Sequence, residues 1–436
     1  MHGTDTQRID FVRGDATGLA IPAHPEALSE AGAVFLTQAF HAFGSLDPDN
    51  SVERIAAIEP CPGGSTGQKL YLTVEYARPD PSLDTELFVK FSRDFGDAIR
   101  DLQRGEMASE VHLAELSRHA AFPITVPHTW FADFHQASQT GLIITSRIFY
   151  GRDAIEPQRM KCMDHELADP LQYYRAIMTA LGRLAAAHKS GRLSPEVERT
   201  FPFDPEVAAA GDPIPYDAEQ LTAQIGRYAD LADRAPQLFP PHLADPAFIE
   251  RFDAQAQRVL AHEAAIKRFL HADSAYVALC HWNANIDNAW FWRDEGGALQ
   301  CGLIDWGHVR QLNLAYPLWG SLCAAPRALW DDHLDELIGL FIGEIQANGG
   351  PRLHVDELKL HLDLYMAVKG LSGMLVAPDR ILYRLPSAVD ASGPRDPIFN
   401  TAPQARNFLH IFTNLVNMWE RHDFGASLDR MLTRIG

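Results

Sequence analysis

A polar turn tied to a short hairpin near residue 290 is the feature that most constrains this chain. Cys280-His281-Trp282-Asn283-Ala284-Asn285-Ile286-Asp287-Asn288 is followed by two strand-like runs, Ala289 to Arg293 and Ala298 to Ile304, joined by Asp294-Glu295-Gly296-Gly297. Asn288 stands five positions after Asn283, and Asp305 seventeen after Asn288. If the two runs pair, the amide oxygen of Asn288 and the carboxylate of Asp305 lie at one end of the hairpin. Both are hard oxygen donors of the kind Mg²⁺ takes when it also carries phosphates. The competing reading is a polar turn and an aspartate that ends a strand.

The rest of the chain divides by pattern. Residues 25 to 44 read as a helix with Leu28, Ala31, Val34, Phe35 and Phe40 roughly on one side, an N-terminal helical appendage within residues 1–50. Arg54 to Ile58, Lys69 to Tyr76 and Glu86 to Phe91 are short, rich in β-branched and aromatic residues, and separated by Gly, Pro and Asp, which predicts a strand meander. A helix is expected over Arg104 to His119, then strands over His128 to Phe134 and Gly141 to Ile148. Beyond residue 170 the pattern is mostly helical, with Leu171 to His188 and Pro246 to His271 the clearest segments. The proline-rich stretch 201–216 reads as an insertion or loop, and Ser392 to Pro403 as a second connector. The fold class expected is therefore α+β, with an antiparallel-sheet unit over 51–150 and a mostly helical unit over 151–436.

Three upstream features bear on phosphate chemistry. Between the first two predicted meander strands lies Pro62-Gly63-Gly64-Ser65-Thr66-Gly67-Gln68-Lys69. Glycines let a backbone approach a phosphate closely and present N–H groups to it, though a tight β-turn needs them as well. It is not a Walker A loop, because Gly67 comes one position early and no Gly-Lys-Ser/Thr follows. Lys90 sits in the apolar run Glu86-Leu87-Phe88-Val89-Lys90-Phe91. It is either an edge residue whose head reaches solvent or a phosphate ligand on the third meander strand. Glu106 and Glu110, four apart on the predicted helix, share a face and either could orient Lys90. Glu110 is preferred because the packing residues Leu113 and Leu116 follow it.

Taken in order, these features resemble the aminoglycoside phosphotransferase and choline kinase group, including its ecdysteroid-kinase-like (CHK) members. That group carries His-Gly-Asp-x-x-x-x-Asn and then Ile-Asp-Trp or Asp-Phe-Gln. Here His281, Asn288 and Ile304-Asp305-Trp306 match, and Leu181 to His188 is similar to the helix before the catalytic loop. The resemblance spans roughly residues 55 to 330. It implies a protein-kinase-like, two-lobed fold and an ATP-dependent phosphotransferase acting on a small hydroxylated molecule. It further implies Gly63, Gly64, Ser65, Thr66, Gly67, Lys90 and Glu110 on ATP, Asn288 and Asp305 on Mg²⁺, and His281 as a structural partner of the backbone near Asp305.

The chain departs from the group at two positions. Trp282 replaces a glycine, and Asn283 stands where an aspartate base is expected. An amide cannot accept the acceptor hydroxyl's proton, and such help is worth roughly 10²–10⁴-fold. Phosphoryl transfer depends largely on positioning and metal electrostatics, so the substitution lowers the expected rate without removing the chemistry. A pseudokinase that binds nucleotide, a ligand or a partner without efficient transfer is the alternative. Asp287 is adjacent to Asn288 and is expected to point elsewhere.

Composition narrows the field further. A formal charge of -19 argues against a general nucleic-acid or anionic-membrane surface. No apolar run suggests a membrane span, and no charged, apolar leader opens the sequence. The five cysteines are odd in number and lack C-x-x-C, consistent with a reduced, cytoplasmic protein. No H-E-x-x-H or Cys/His cluster points to zinc, and Cys280 reads as a buried thiol rather than a nucleophile. Trp282, Trp290, Trp292, Trp306, Trp319 and Trp330 account for six of the eight tryptophans. Most are expected in the core, and some could wall a pocket for an apolar or ring-containing acceptor.

Overall fold

The computed structural model describes residues 8–436 apart from positions 62 and 65. The chain forms two compact units. One comprises the residues up to Ile155 together with Gly302–Val309, and the other Glu156–Cys301 with Arg310–Gly436.

The first unit is built on an antiparallel sheet. A short hairpin, β1 (Phe11–Arg13) and β2 (Ala20–Pro22), precedes α1 (Pro25–Phe43). Then come β3 (Val52–Pro60), β4 (Lys69–Tyr76), β5 (Glu86–Phe91), the single turn α2 (Ala98–Asp101), α3 (Met107–Leu116), β6 (Thr129–His135) and β7 (Thr140–Ser146). The five long strands lie in the order β3-β4-β5-β7-β6, so β5 is the middle strand. Alternation is clean in β5, where Leu87, Val89 and Phe91 are fully buried. Leu70, Leu72 and Val74 of β4 join the same core.

Helix α1 belongs to that core. Leu28, Phe35, Leu36, Ala39, Phe40 and Phe43 pack with Trp130 and Phe131 of β6. Burying a side chain of this size contributes roughly 1.5–3 kcal/mol. The apolar face does not run straight along the helix. Gly32 adopts φ 64°, and this kink changes the helical phase. Val34, expected on the inner face, is 69% exposed.

The second unit is mostly helical. Its first helices are α4 (Pro170–Lys189), the short α5 (Val197–Thr200) and α6 (Pro205–Ala210), α7 (Ala218–Arg234) and α8 (Pro246–Ala272). After them come β8 (Val277–Cys280), β9 (Ala289–Arg293), β10 (Leu299–Leu303) and β11 (Arg310–Asn313). The chain ends in α9 (Ala315–Leu322), α10 (Arg327–Asp332), α11 (Leu334–Ala347), α12 (Val355–Lys369), α13 (Ala377–Arg384), α14 (Pro403–His422) and α15 (Phe424–Ile435). Tyr228, Phe252, Phe412 and Trp419 form an aromatic centre with ring centroids 4.7 to 6.3 Å apart. The proline-rich stretch contains the short helix α6, started by Pro205 in its first turn and capped by Asp204. No helix of the described residues is long and apolar enough to cross a membrane.

The hairpin β9–β10 forms as expected. The end of β10 passes into the first unit, where Gly302 bridges Thr125 in parallel and the Leu303 N–H donates to the Thr125 carbonyl at 3.0 Å. Asp305 is therefore a residue of the sheet unit.

Candidate active site

In the sheet unit the polar groups gather around Lys90. Its strand is central, its backbone is paired on both sides, and the residue is 7% exposed, so it is no edge lysine. The ammonium donates to Glu110 Oε2 at 2.7 Å and to Asp305 Oδ1 at 3.2 Å. Glu110 is held from its other oxygen, which accepts the Trp306 N–H at 3.2 Å. Burial alone pulls the Lys90 pKa down, but the Glu110 and Asp305 carboxylates outweigh it, so the net direction is up. The lysine is a fixed cation. Glu106, the other helix candidate, faces His308 Nε2 at 3.3 Å.

Asp305 has φ 65°, in the left-handed region. Aspartate tolerates this better than most residues, yet the conformation still costs energy. Its side chain remains half exposed, at 50%. The strained backbone thus holds a carboxylate where Lys90 takes one oxygen and a ligand can approach. Such strain persists where surrounding structure over-determines it, which is common at functional sites.

The glycine loop joins β3 to β4. Gly63, Gly64 and Gly67 all have positive φ, at 98°, 79° and 55°. The Gly63 carbonyl accepts from Arg100 Nη2 at 2.9 Å. Thr66 is half-buried in the same turn, and Ser65 lies outside the described residues. At Gly64 a Cβ would collide with Lys69 Nζ. The lysine head occupies the space that glycine leaves.

Lys69 was not apparent as a site residue in the sequence. The β4–β5 register sets it directly opposite Lys90, so both project from one face of the sheet. Among the described residues it has no carboxylate at ion-pair distance, whereas the other lysines are matched by carboxylates or carbonyls. Burial and then the Lys90 ammonium pull its pKa down, with partial relief from Asp305 and Glu110. Two cations facing one way beneath a glycine turn form a site ready for a polyanion. The signal in the sequence was Lys69 itself, but a connection of this length leaves hairpin register open.

The turn after β8 is organised differently. The Asn283 N–H donates to His281 Nδ1 at 3.1 Å, which fixes that nitrogen as the acceptor. Asn283 Oδ1 accepts from Asn285 Nδ2, and the Asn283 carbonyl accepts from Asn288 Nδ2 at 2.8 Å. With its nitrogen committed, Asn288 presents its side-chain oxygen as the atom suited to a metal. Asp287 points to Lys161, at 3.6 Å. Cys323 Sγ donates to Asn285 Oδ1 at 3.4 Å. A Cβ on Gly320 of α9 would collide with the Trp282 carbonyl, so only glycine lets the helix approach this turn. Cys280 is buried and its thiol is pushed well up by desolvation, the opposite of an activated nucleophile.

Among the described residues no three His, Cys, Asp or Glu side chains converge to hold a metal. Asp305 and Asn288 each carry an oxygen donor of the kind Mg²⁺ takes, unlike the nitrogen and sulfur donors zinc prefers. Trp290, Trp306, Trp319 and Trp330 are core residues. Trp282 is half-buried, donates to the Tyr365 hydroxyl at 3.3 Å, and has Lys369 Nζ 5.6 Å from its ring centroid. Tyr365 stacks on Tyr316 at 3.8 Å, and with Phe203 and Lys369 they line a cavity of about 490 Å³.

No family model and no curated protein matches the chain. Among solved structures it is similar to a choline kinase from Cryptosporidium parvum, at 12% identity and a TM-score of 0.43, over 89% of this chain and 96% of that one. A choline/ethanolamine kinase family protein from Mesorhizobium loti is similar at 16% identity and a TM-score of 0.38, over 82% and 92%. A spectinomycin phosphotransferase in complex with ADP and spectinomycin is similar at 13% identity and a TM-score of 0.43, over 85% and 94%. These are kinds of protein that the sequence motifs resemble.

Proposed function

We propose that this chain is a kinase-like phosphotransferase that moves the γ-phosphoryl group of ATP to a hydroxyl of a small molecule. The observation that carries the reading is the Lys90–Glu110–Asp305 cluster, with Asp305 held in a strained left-handed conformation. Lys90 binds the phosphates, oriented by Glu110. The glycine loop supplies backbone N–H groups, and Lys69 adds a second cation. Asp305 and Asn288 are the Mg²⁺ ligands. The metal, when bound, neutralises charge on the transferring phosphates.

In the transfer step the acceptor oxygen bonds to the γ-phosphorus, the bond to the bridging oxygen breaks, and ADP leaves. The hydroxyl proton goes to solvent or to the transferred phosphate, because neutral Asn283 has no capacity for it. Asn283 then acts as a positioning group. The stacked tyrosines and Trp282 support an acceptor with an apolar or ring-shaped part.

The second reading is a nucleotide-binding pseudokinase. It is favoured by one observation: Asn283 Oδ1 already accepts from Asn285 Nδ2. Two measurements separate the readings. Thermal shift with Mg-ATP is expected to stabilise the protein, and Lys90→Met is expected to weaken ATP by about 10- to 100-fold while leaving adenosine nearly unchanged. Equal loss of both ligands would make Lys90 a structural residue. ADP release with a panel of alcohols then decides turnover. Binding without turnover on any of them replaces the enzyme reading by the pseudokinase one.

A further inference from the structure

A second cavity of the helical unit, of about 450 Å³, lies apart from the aromatic one. Helix α14 supplies one wall, with Arg406, His410 and Thr413 on a single face by helical spacing. Arg327 and Arg395 also line it. In a chain of formal charge -19 this concentration of arginine is unusual.

The donors there are under-used. Arg406 Nε and the Thr413 hydroxyl are buried without a hydrogen-bond partner. The other two Arg406 nitrogens reach only Asn400 Oδ1 at 3.4 Å and the Lys161 carbonyl at 3.3 Å, both long for charged donors. Among the described residues Arg395 has no hydrogen-bond or ion-pair partner. Two carboxylates are near. Asp396 is occupied by the Ser392 N–H and hydroxyl and the Ile398 N–H, while Glu166 is exposed. Burial lowers the pKa of His165 and His410, and Arg395 adds to the lowering of both. Arg327 is paired with Asp331 at 3.6 Å and Glu166 works against the lowering at His165, so Arg395 and Arg406 are the under-used cations of the cavity. Leu238, Phe399 and Leu409 supply the apolar remainder.

We propose that this cavity binds a small organic anion, its carboxylate or phosphate on Arg406, Arg395 and Thr413 and its apolar part on Leu238, Phe399 and Leu409. The cavity volume suits a ligand of one or two rings. Its wall at Cys162 adjoins Lys161, the partner of Asp287, and Asn414 holds the carbonyls of Cys323 and Ala325. The inference does not depend on the phosphotransferase reading.

Calorimetry on the full chain with phenyl phosphate, benzoate and benzyl alcohol tests it. At least one acid probe is expected to bind at least tenfold more tightly than the alcohol, and the ratio of the two acids tells phosphate from carboxylate. Arg406→Gln and Arg395→Gln are each expected to weaken that probe by at least about tenfold, the loss of one charge-assisted contact. Thr413→Val is expected to weaken it a few-fold, and Lys90→Met to leave it unchanged. Should Arg406→Gln fail to fold, the exposed Arg395 decides. No heat with either acid up to about 10 mM, or binding that survives both arginine changes, or binding lost in Lys90→Met, overturns the proposal.

Discussion

Around Lys90 the polar groups are charged and hold one another through ion pairs, whereas His281, Asn283, Asn285 and Asn288 are neutral and hold one another through amide and imidazole hydrogen bonds, with the carboxylate of Asp287 turned to Lys161. The first arrangement is uneven in its pairing. Two lysines share two carboxylates, but both carboxylates lie on Lys90, Lys69 has no ion-pair partner among the described residues, and the Asp305 carboxylate is half exposed. In the second the neutral side chains are already hydrogen-bonded to one another. The contrast teaches that holding a nucleotide and accepting a proton are separable tasks. A chain can keep a charged cluster of the kind that binds phosphates while a neutral side chain, which takes no proton, stands where a base would be expected.

The largest effect expected of a single change is at Asp305. Asp305→Ala should abolish the Mg²⁺-dependent part of ATP stabilisation in a protein that still folds, and cut any turnover by at least about 100-fold. A mutant that binds Mg-ATP like the parent would remove Asp305 from the metal site. Next is the neutral turn. Asn283→Asp restores a base with almost no change in volume, and its remaining oxygen keeps the bond from Asn285. With a competent acceptor, transfer should rise by about 10- to 1000-fold, within the range of general-base help. A parent that turns over briskly and slows on this change would show that the turn uses its amide directly.

Charge near the neutral turn gives a test by pH. Asp164 is raised to about 7, first by burial and then by Asp287, while Tyr174 donates to it and works the other way. The folded protein therefore keeps a proton that the unfolded chain loses above about pH 4. Stability from this group should be fully present below that pH and fall as pH rises toward 7, by at most roughly 1.4 kcal/mol for each pH unit crossed. Urea unfolding at pH 5 and 8 should show this slope, and Asp164→Asn should flatten it. The smallest effect expected is at Lys69. Lys69→Met should weaken ATP about three- to tenfold and AMP less, because fewer phosphates remain to contact. An equal loss of both would assign the lysine to support of the glycine loop.

Much of this was legible in the sequence, and the gaps have physical causes. The five long strands could be placed because each alternates or runs apolar between turn residues, and the β9–β10 hairpin because Gly296-Gly297 marks its bend. Lys90, Glu110 and Asp305, which the sheet unit brings together, could be singled out because each is a charged residue set beside apolar neighbours in a strand, a helix or a strand end. The pairing of β8 with β11 could not, since partners such as Cys280 and Arg310 are far apart in the chain and local pattern carries no long-range register. The place of α1 in the sheet's core was hidden for a related reason. Its apolar positions change phase at Gly32, which blurs the stripe that would have announced a buried helix. Short elements such as α6 start at a proline that also signals a loop.

The left-handed backbone at Asp305 separates folding from chemistry in a way that can be put to use. Glycine relaxes such a conformation, by up to about 1 kcal/mol. Asp305→Gly therefore sets a relaxed backbone against the lost ion pair to Lys90, and should stay folded while lacking the carboxylate. On the proposed reading such a protein is a reagent for trapping: exposed to a metabolite extract, it would retain an acceptor without phosphorylating it. On the proposed phosphotransferase reading, the residue with the strained backbone is thus also the one whose removal gives a route to an acceptor.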